Sequence, residues 1–160
     1  MVKVLSHLDD QGKARMVDVS GKVQTSREAI ASCVVKMGED AFSALLDKSV
    51  PKGDVFSTAR IAGILAAKRV DELVPLCHPL PLNFVGIDFD LIPEERAVKI
   101  TATARTTAKT GVEMEAMTAA TVAALTVYDM LKALEKGIVI TNIQLEYKSG
   151  GKSGTWKKEA

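Results

Sequence analysis

Aromatic residues are scarce in this chain. One tryptophan, two tyrosines and four phenylalanines make up 4% of its 160 residues. A sheet that reads RNA does so by stacking bases on strand aromatics, which argues against RNA recognition here. Neither sign of charge is in surplus. Lys and Arg number 21 against 20 Asp and Glu, a net charge of +1. That gives no bulk attraction to nucleic acid or to a membrane surface. Two cysteines, Cys33 and Cys77, do not make a disulfide framework, and a reducing cytoplasm is the expected compartment. Two histidines, His7 and His78, are too few for a His-rich metal site within one chain. No apolar run approaches the length of a membrane span. The first residues, MVKVLSHLDDQGKARMV, lack the apolar core of a secretory signal. No internal repeat and no low-complexity linker occurs. What is there is ordinary for a globular protein, 47% hydrophobic and 26% charged, and of a length that suits one domain over residues 1–160.

The chain's most distinctive stretch is KTGVEMEAMTAATVAALTVYDMLKALEKG, Lys109 to Gly137. It reads as one long helix. Thr110 and Glu113 have the spacing of a capping box, and Gly137 sits where a helix usually stops. Neither proline nor glycine occurs from Val112 to Lys136, which predicts a rod of about 37 Å. Ala116 to Tyr128 carries no charge, so burial on more than one side is expected. The charges gather at the ends: Glu113 and Glu115 at the start, Asp129 and Lys132 near the finish.

The rest of the chain supplies a setting for that helix. Residues 1–13 read as a polar, loosely held arm, and Ala14 to Val23 as a hairpin turning near Ser20-Gly21. Arg27 to Met37 alternates, with Ala29, Ala31, Cys33, Val35 and Met37 on one side, and predicts a strand. Ile30 and Val34 predict partial burial of its other side. Glu39 to Lys48 reads as a short helix. Asp54 is the N-cap of another, running to about Val70, whose alanines permit close backbone approach. Prolines 75, 79 and 81 make PLCHPLPL a rigid extended loop. Asn83 to Leu91, with Val85, Ile87, Phe89 and Leu91 inward, pairs with Ala97 to Arg105 across a turn at Pro93-Glu94-Glu95. After the long helix come a strand from Val139 to Lys148 and a glycine-rich basic tail, expected to be flexible from residue 149.

Strand, helix in two pieces, strand, strand, helix, strand is the α+β ferredoxin-like split β-α-β pattern, here with an N-terminal hairpin extension and an extra short helix. In that topology Lys52, ahead of the first main helix, lies at the same end as Asp129 and Lys132. His78 and the two glutamates lie at the other. The fourteen steps from Glu115 to Asp129 come to about 21 Å along a helix. One small ligand hardly touches both clusters within a chain. Either there are two sites, or a second subunit brings its opposite end alongside across an isologous interface.

Several residues are suited to chemistry. Lys52 precedes Gly53 and the cap Asp54; with the free N–H groups of a helix start it makes an anion pocket, and otherwise it is a solvated surface lysine. Lys109 stands likewise before Thr110. Asp129 and Lys132, three apart, can pair. Burial would lower the lysine's pKa and the carboxylate would raise it, leaving acid, base and phosphate ligand all open. Glu113 fits the capping box and Glu115 the helix dipole; together they could instead hold a polar heterocycle or take a proton. Cys77 reads as a small buried residue, and His78 as a ligand, a proton carrier or a structural histidine. Ser149 to Gly154 looks superficially like a phosphate loop. The earlier glycine that a Walker motif requires falls at Glu146, and little chain remains for a helix. A tail closing over phosphates and a disordered terminus both remain open. Met114, Met117 and Met130 read as core fillers.

Taken together, KGDVFSTARIAGILAAKR, LCHPLPL, KTGVEMEAMTAATVAALTVYDM followed by Lys132, and KSGGKSG resemble the cyclic pyranopterin monophosphate synthase family, molybdenum cofactor biosynthesis protein C. The likeness runs over nearly the whole chain, MVDVS near Asp18 included. It implies a lyase acting on a cyclised guanosine triphosphate and releasing diphosphate. It implies a ferredoxin-like fold assembled as a hexamer, a trimer of dimers, with active sites at subunit interfaces. By motif, Lys52 and Lys132 correspond to catalytic lysines and Asp129 to the active-site aspartate. Leu76, Cys77, His78, Glu113, Met114 and Glu115 correspond to substrate-contacting segments, and Lys148 and Lys152 to phosphate helpers. The resemblance implies no redox cofactor; Mg²⁺ would at most accompany the diphosphate, and no residues make a dedicated site for it. The rival reading is a ferredoxin-like binding module for RNA or a small regulatory ligand.

Overall fold

In the computed structural model, which describes residues 7–159, the alternating stretches form a five-stranded antiparallel sheet in the order β2-β3-β1-β4-β5. The strands are β1 (Thr25–Lys36), β2 (Leu82–Ile92), β3 (Ala97–Ala108), β4 (Val139–Ser149) and β5 (Trp156–Lys157). Alternation sets the register. Ala31 stands opposite Ala102 on one side and Leu145 on the other, and Ile87 stands opposite Ala102. One face therefore gathers Ala29, Ala31, Cys33, Val35, Val98, Ile100, Ala102 and Ala104, all fully buried. Helices α2 (Val55–Ala67) and α4 (Glu113–Leu131) cover that face, and the shorter α1 (Glu39–Leu46) and α3 (Val70–Leu73) complete the chain. β1 and β2 each run antiparallel to β3 between them, which is the ferredoxin-like split β-α-β arrangement.

Small residues bring α2 and α4 together. Ala116, Ala119, Ala120, Ala123 and Ala124 of α4 are fully buried, as is Ala59 of α2. At Gly63 an added Cβ would lie 2.7 Å from the carbonyl oxygen of Ala119. Only glycine fits there. This close pairing fixes where the start of α2 sits relative to the end of α4.

Several expectations need correction. The capping box does not form: Val112 occupies the cap position of α4 without a side-chain bond, and the Glu113 carboxylate is taken by Lys148 at 2.8 Å. The helix stops at Leu131, so its 19 residues span about 28 Å rather than 37. Beyond it a turn leads Glu135 away to accept from the Gly38 N–H at 2.6 Å, while Tyr128 Oη donates to Lys136 O at 3.2 Å. Burial of α4 is also one-sided at the level of one chain, since Leu125 is 56% exposed.

Of the hairpin expected at residues 14–23 only the turn at Ser20-Gly21 forms, with Lys22 N–H donating to Val19 O at 3.0 Å and no strand pairing across it. An antiparallel bridge joins Leu8 to Ala14 instead, around a turn in which Asp9 Oδ1 accepts from the N–H groups of Gln11 and Lys13. This turn falls in the stretch expected to be a loose arm, of which residues 1–6 lie outside the described residues. The tail after residue 149 returns to the sheet as β5. Leu91, expected inward, is exposed on the edge strand β2.

Candidate active site

Three candidate side chains, Lys52, Asp129 and Lys132, meet at one end of the helix layer. Val50 to Gly53 makes a tight turn closed by Gly53 N–H to Val50 O at 3.0 Å, with Pro51 second and Gly53 fourth, as such turns favour. Gly53 has a φ of +97°. Asp54 then caps α2, accepting from Ser57 N–H at 2.9 Å. The turn projects Lys52 across to the last turn of α4. Its Nζ donates to the Asp129 carboxylate at 2.8 Å and to the Asp129 backbone oxygen at 2.7 Å. Lys132, one turn on, reaches the other carboxylate oxygen at 2.7 Å. Hydrogen bonds from Lys132 and Lys52 hold the Asp129 carboxyl down to about 2, and Asp129 in turn pushes the Lys132 ammonium up. The cluster is exposed, and its carboxylate favours the charged form of Lys132 over the neutral one.

A second group assembles at the opposite end of α4. The proline-bounded loop sets Leu76, Cys77 and His78 against Glu113, Met114 and Glu115 around a cavity of about 470 Å³. Glu115 is 3% exposed, and burial pushes its carboxyl up to about 7, with the nearby charges of Glu113 and Asp71 adding to the shift. Burial likewise pushes the Cys77 thiol up. A carboxyl balanced near neutrality can give or take a proton.

Beside it lies a larger cavity of about 650 Å³. Lys22, Arg27, Lys109, Lys148 and Lys152 line it, with Gly150 and Gly151 and two carboxylates, Glu28 and Glu113, which pair with Arg105 and Lys148. Arg27 Nε is buried and makes no hydrogen bond among the described residues, while its Nη2 donates to Lys109 O at 3.3 Å. Five cations around one cavity suit a polyanion. The two cavities share a wall of Lys22, Thr110, Gly111 and Glu113. Lys52, Asp129 and Lys132 line neither.

The sequence reading named eight residues of this end and missed Lys22 and Arg27; Lys109 it placed only beside a supposed cap. A signal existed for Arg27. Once β1 and β4 are taken as antiparallel neighbours, Glu28 faces Ser149, which sets Arg27 against the glycine-rich turn. Lys22 sits in an irregular segment before β1, where no periodicity points. Among the described residues no three His, Cys, Asp or Glu side chains converge to hold a metal, and no helix is long and apolar enough to cross a membrane.

Similar proteins match nearly the whole of this chain. A cyclic pyranopterin monophosphate synthase of Bordetella avium is 59% identical over 155 residues, covering 97% of this chain and 96% of that protein. The protein of the same name from Streptomyces coelicolor is 56% identical over 154 residues, 96% of this chain and 89% of its own length. Its namesake in Novosphingobium aromaticivorans is 54% identical over 153 residues, 96% of each. The pattern of the MoaC family matches residues 16–151, which takes in both clusters and the lining of the cationic cavity except Lys152 and Ser153, and the chain belongs to that family.

Proposed function

We propose that this chain is a cyclic pyranopterin monophosphate synthase, converting (8S)-3′,8-cyclo-7,8-dihydroguanosine 5′-triphosphate to cyclic pyranopterin monophosphate and diphosphate in molybdenum cofactor biosynthesis. It is an enzyme of the lyase class. The observation that carries this reading is the joined pair of cavities: a cationic one sized for a triphosphate, and beside it a carboxylate-bearing one for a polar heterocycle.

The reaction opens the purine-derived ring, closes a new one, and sends a sugar oxygen onto the α-phosphate as diphosphate leaves. Lys148 and Lys152, with Arg27, neutralise the phosphates. Leu76, Cys77, His78 and Met114 shape the heterocycle pocket. Glu113 borders both parts, and Glu115 moves protons at the ring edge. Lys52, Asp129 and Lys132 are the catalytic group. In the free chain both ammonium groups rest on Asp129. An arriving phosphate competes for them, and each then serves as acid or charge stabiliser at the reacting centre.

That group stands about 21 Å along α4 from Glu115, so each complete site draws on two subunits. A homohexamer built as a trimer of dimers satisfies this in a cytoplasmic enzyme. The chemistry calls on no redox cofactor, and Mg²⁺ would enter with the phosphates. The test is turnover. The protein incubated with the cyclic triphosphate should release diphosphate and yield a pterin that fluoresces after oxidation. Tight binding without product would instead support a small-ligand sensor.

A further inference from the structure

Nothing in the proposed chemistry calls on the residues after Gly154, yet they are bonded back to the sheet at several points. Trp156 and Lys157 pair with Lys148 and Tyr147 at the edge of β4. Lys158 N–H donates to Glu146 O at 2.9 Å, and Lys158 Nζ donates to Gln144 Oε1 at 2.7 Å. The anchor points are themselves held. A bulge leaves Glu146 as the extra residue between Leu145 and Tyr147, and its carboxylate accepts from Ser32 Oγ and from Gln144 Nε2. Ser32 is 2% exposed, at the centre of the sheet.

Residues 150–155 are therefore a loop with both ends fixed. Gly150, Gly151 and Gly154 all have positive φ, which lets the chain turn tightly. Gly154 N–H closes on Gly151 O at 3.2 Å. A side chain at Gly151 would run into the Arg27 guanidinium, so the loop lies directly on that residue. Lys152, on this loop, stands at the wall of the cationic cavity.

We propose that residues 156–158 are a clasp that positions Lys152 for the phosphates, so that chain which never touches the substrate sets its affinity. Fixing both ends of the loop removes most of its conformers before binding, and the ordering cost falls out of the binding step. Freed at one end, the loop would have to be ordered by the ligand itself. The proposal rests on the reading of the cavity as the phosphate site.

The experiment measures binding of inorganic tripolyphosphate by calorimetry to the assembled protein. It compares the full chain, a chain ending at Thr155, Lys158→Pro, and each change combined with Lys152→Ala. Lys158→Pro removes both the N–H and the ammonium of the clasp, and carries the reading should the shortened chain not fold. Both changes should weaken Kd about tenfold, the worth of one charge-assisted hydrogen bond. KM for the cyclic triphosphate should rise by the same factor with kcat unchanged. In the Lys152→Ala background neither change should weaken binding further. A full chain that does not bind tripolyphosphate overturns the cavity reading itself. A full chain that binds, with clasp variants that bind equally well, overturns the clasp alone. Equal weakening with and without Lys152 also overturns it, because the effect then does not pass through that lysine.

Discussion

Asp129 accepts from two lysines at once, and all three side chains remain partly solvated. Exposed ion pairs add little to stability, so removing either lysine should spare the fold. Lys52→Ala and Lys132→Ala should each cut turnover roughly a hundredfold or more while leaving the circular dichroism spectrum unchanged. Diphosphate release at normal rates in both variants would take them out of the mechanism. Glu115 lends itself to a stability measurement. Its folded carboxyl titrates near 7 against an ordinary value of 4.5, so the folded state binds the proton more tightly than the unfolded one. The stabilising contribution is complete below about pH 4.5 and lost as pH rises through about 7. A shift of that size corresponds to about 3 kcal/mol. Glu115→Gln cannot ionise, so between pH 5 and pH 8 it should lose less unfolding free energy in urea than the parent. Parallel profiles for the two proteins would mean that Glu115 is not the titrating group.

Among the elements, α2 and α4 set the geometry. Gly63→Ala would push a methyl group against the Ala119 carbonyl and should cost about 2 kcal/mol, visible as a lowered thermal midpoint. Because the same contact places the start of α2, the variant should also lose turnover beyond what its lowered stability explains. An unchanged midpoint would mean that the helices separate freely. Most of these elements were legible in the chain. β1 and β3 alternate so strictly that register and burial follow, and Asp54 marks the start of α2 because its side chain bonds only three residues away. What escaped was decided at long range. Glu113 is claimed by Lys148, 35 residues distant, and α4 ends early because Glu135 is drawn to Gly38, 97 residues back. Local spacing carries no trace of such partners. At the candidate site the same division holds: the motif residues stand where topology put them, while Lys22 and Arg27 became visible only when the sheet brought distant segments to one cavity.

At the scale of the molecule, the Lys52-Asp129-Lys132 cluster and the two cavities lie at opposite ends of one helix. Ile61 and Leu65, one turn apart on α2, and Leu125 on α4 leave apolar surface exposed on the single chain. Such surface suits association with a second copy. Lys132→Ala chains and His78→Ala chains should each be nearly inactive alone. Mixed so that subunits exchange, they should recover part of the turnover, because some sites then receive an intact half from each chain. Verified exchange without recovery would confine each site to one chain.

The alanine-rich body of α4 also fixes an angle. Each helical residue turns the chain by about 100°, so Glu115 and Asp129, fourteen residues apart, point within about 40° of the same direction. The helix thus carries rotational phase as well as distance between the two charged clusters. One residue inserted between Ala116 and Val127 would swing Asp129 about 100° away from Lys52 and leave the residues before it where they are. Four inserted residues would nearly restore the direction and displace the group by about 6 Å. The pairing of Asp129 with Lys52 tolerates change in the surface of this helix far more readily than change in its length.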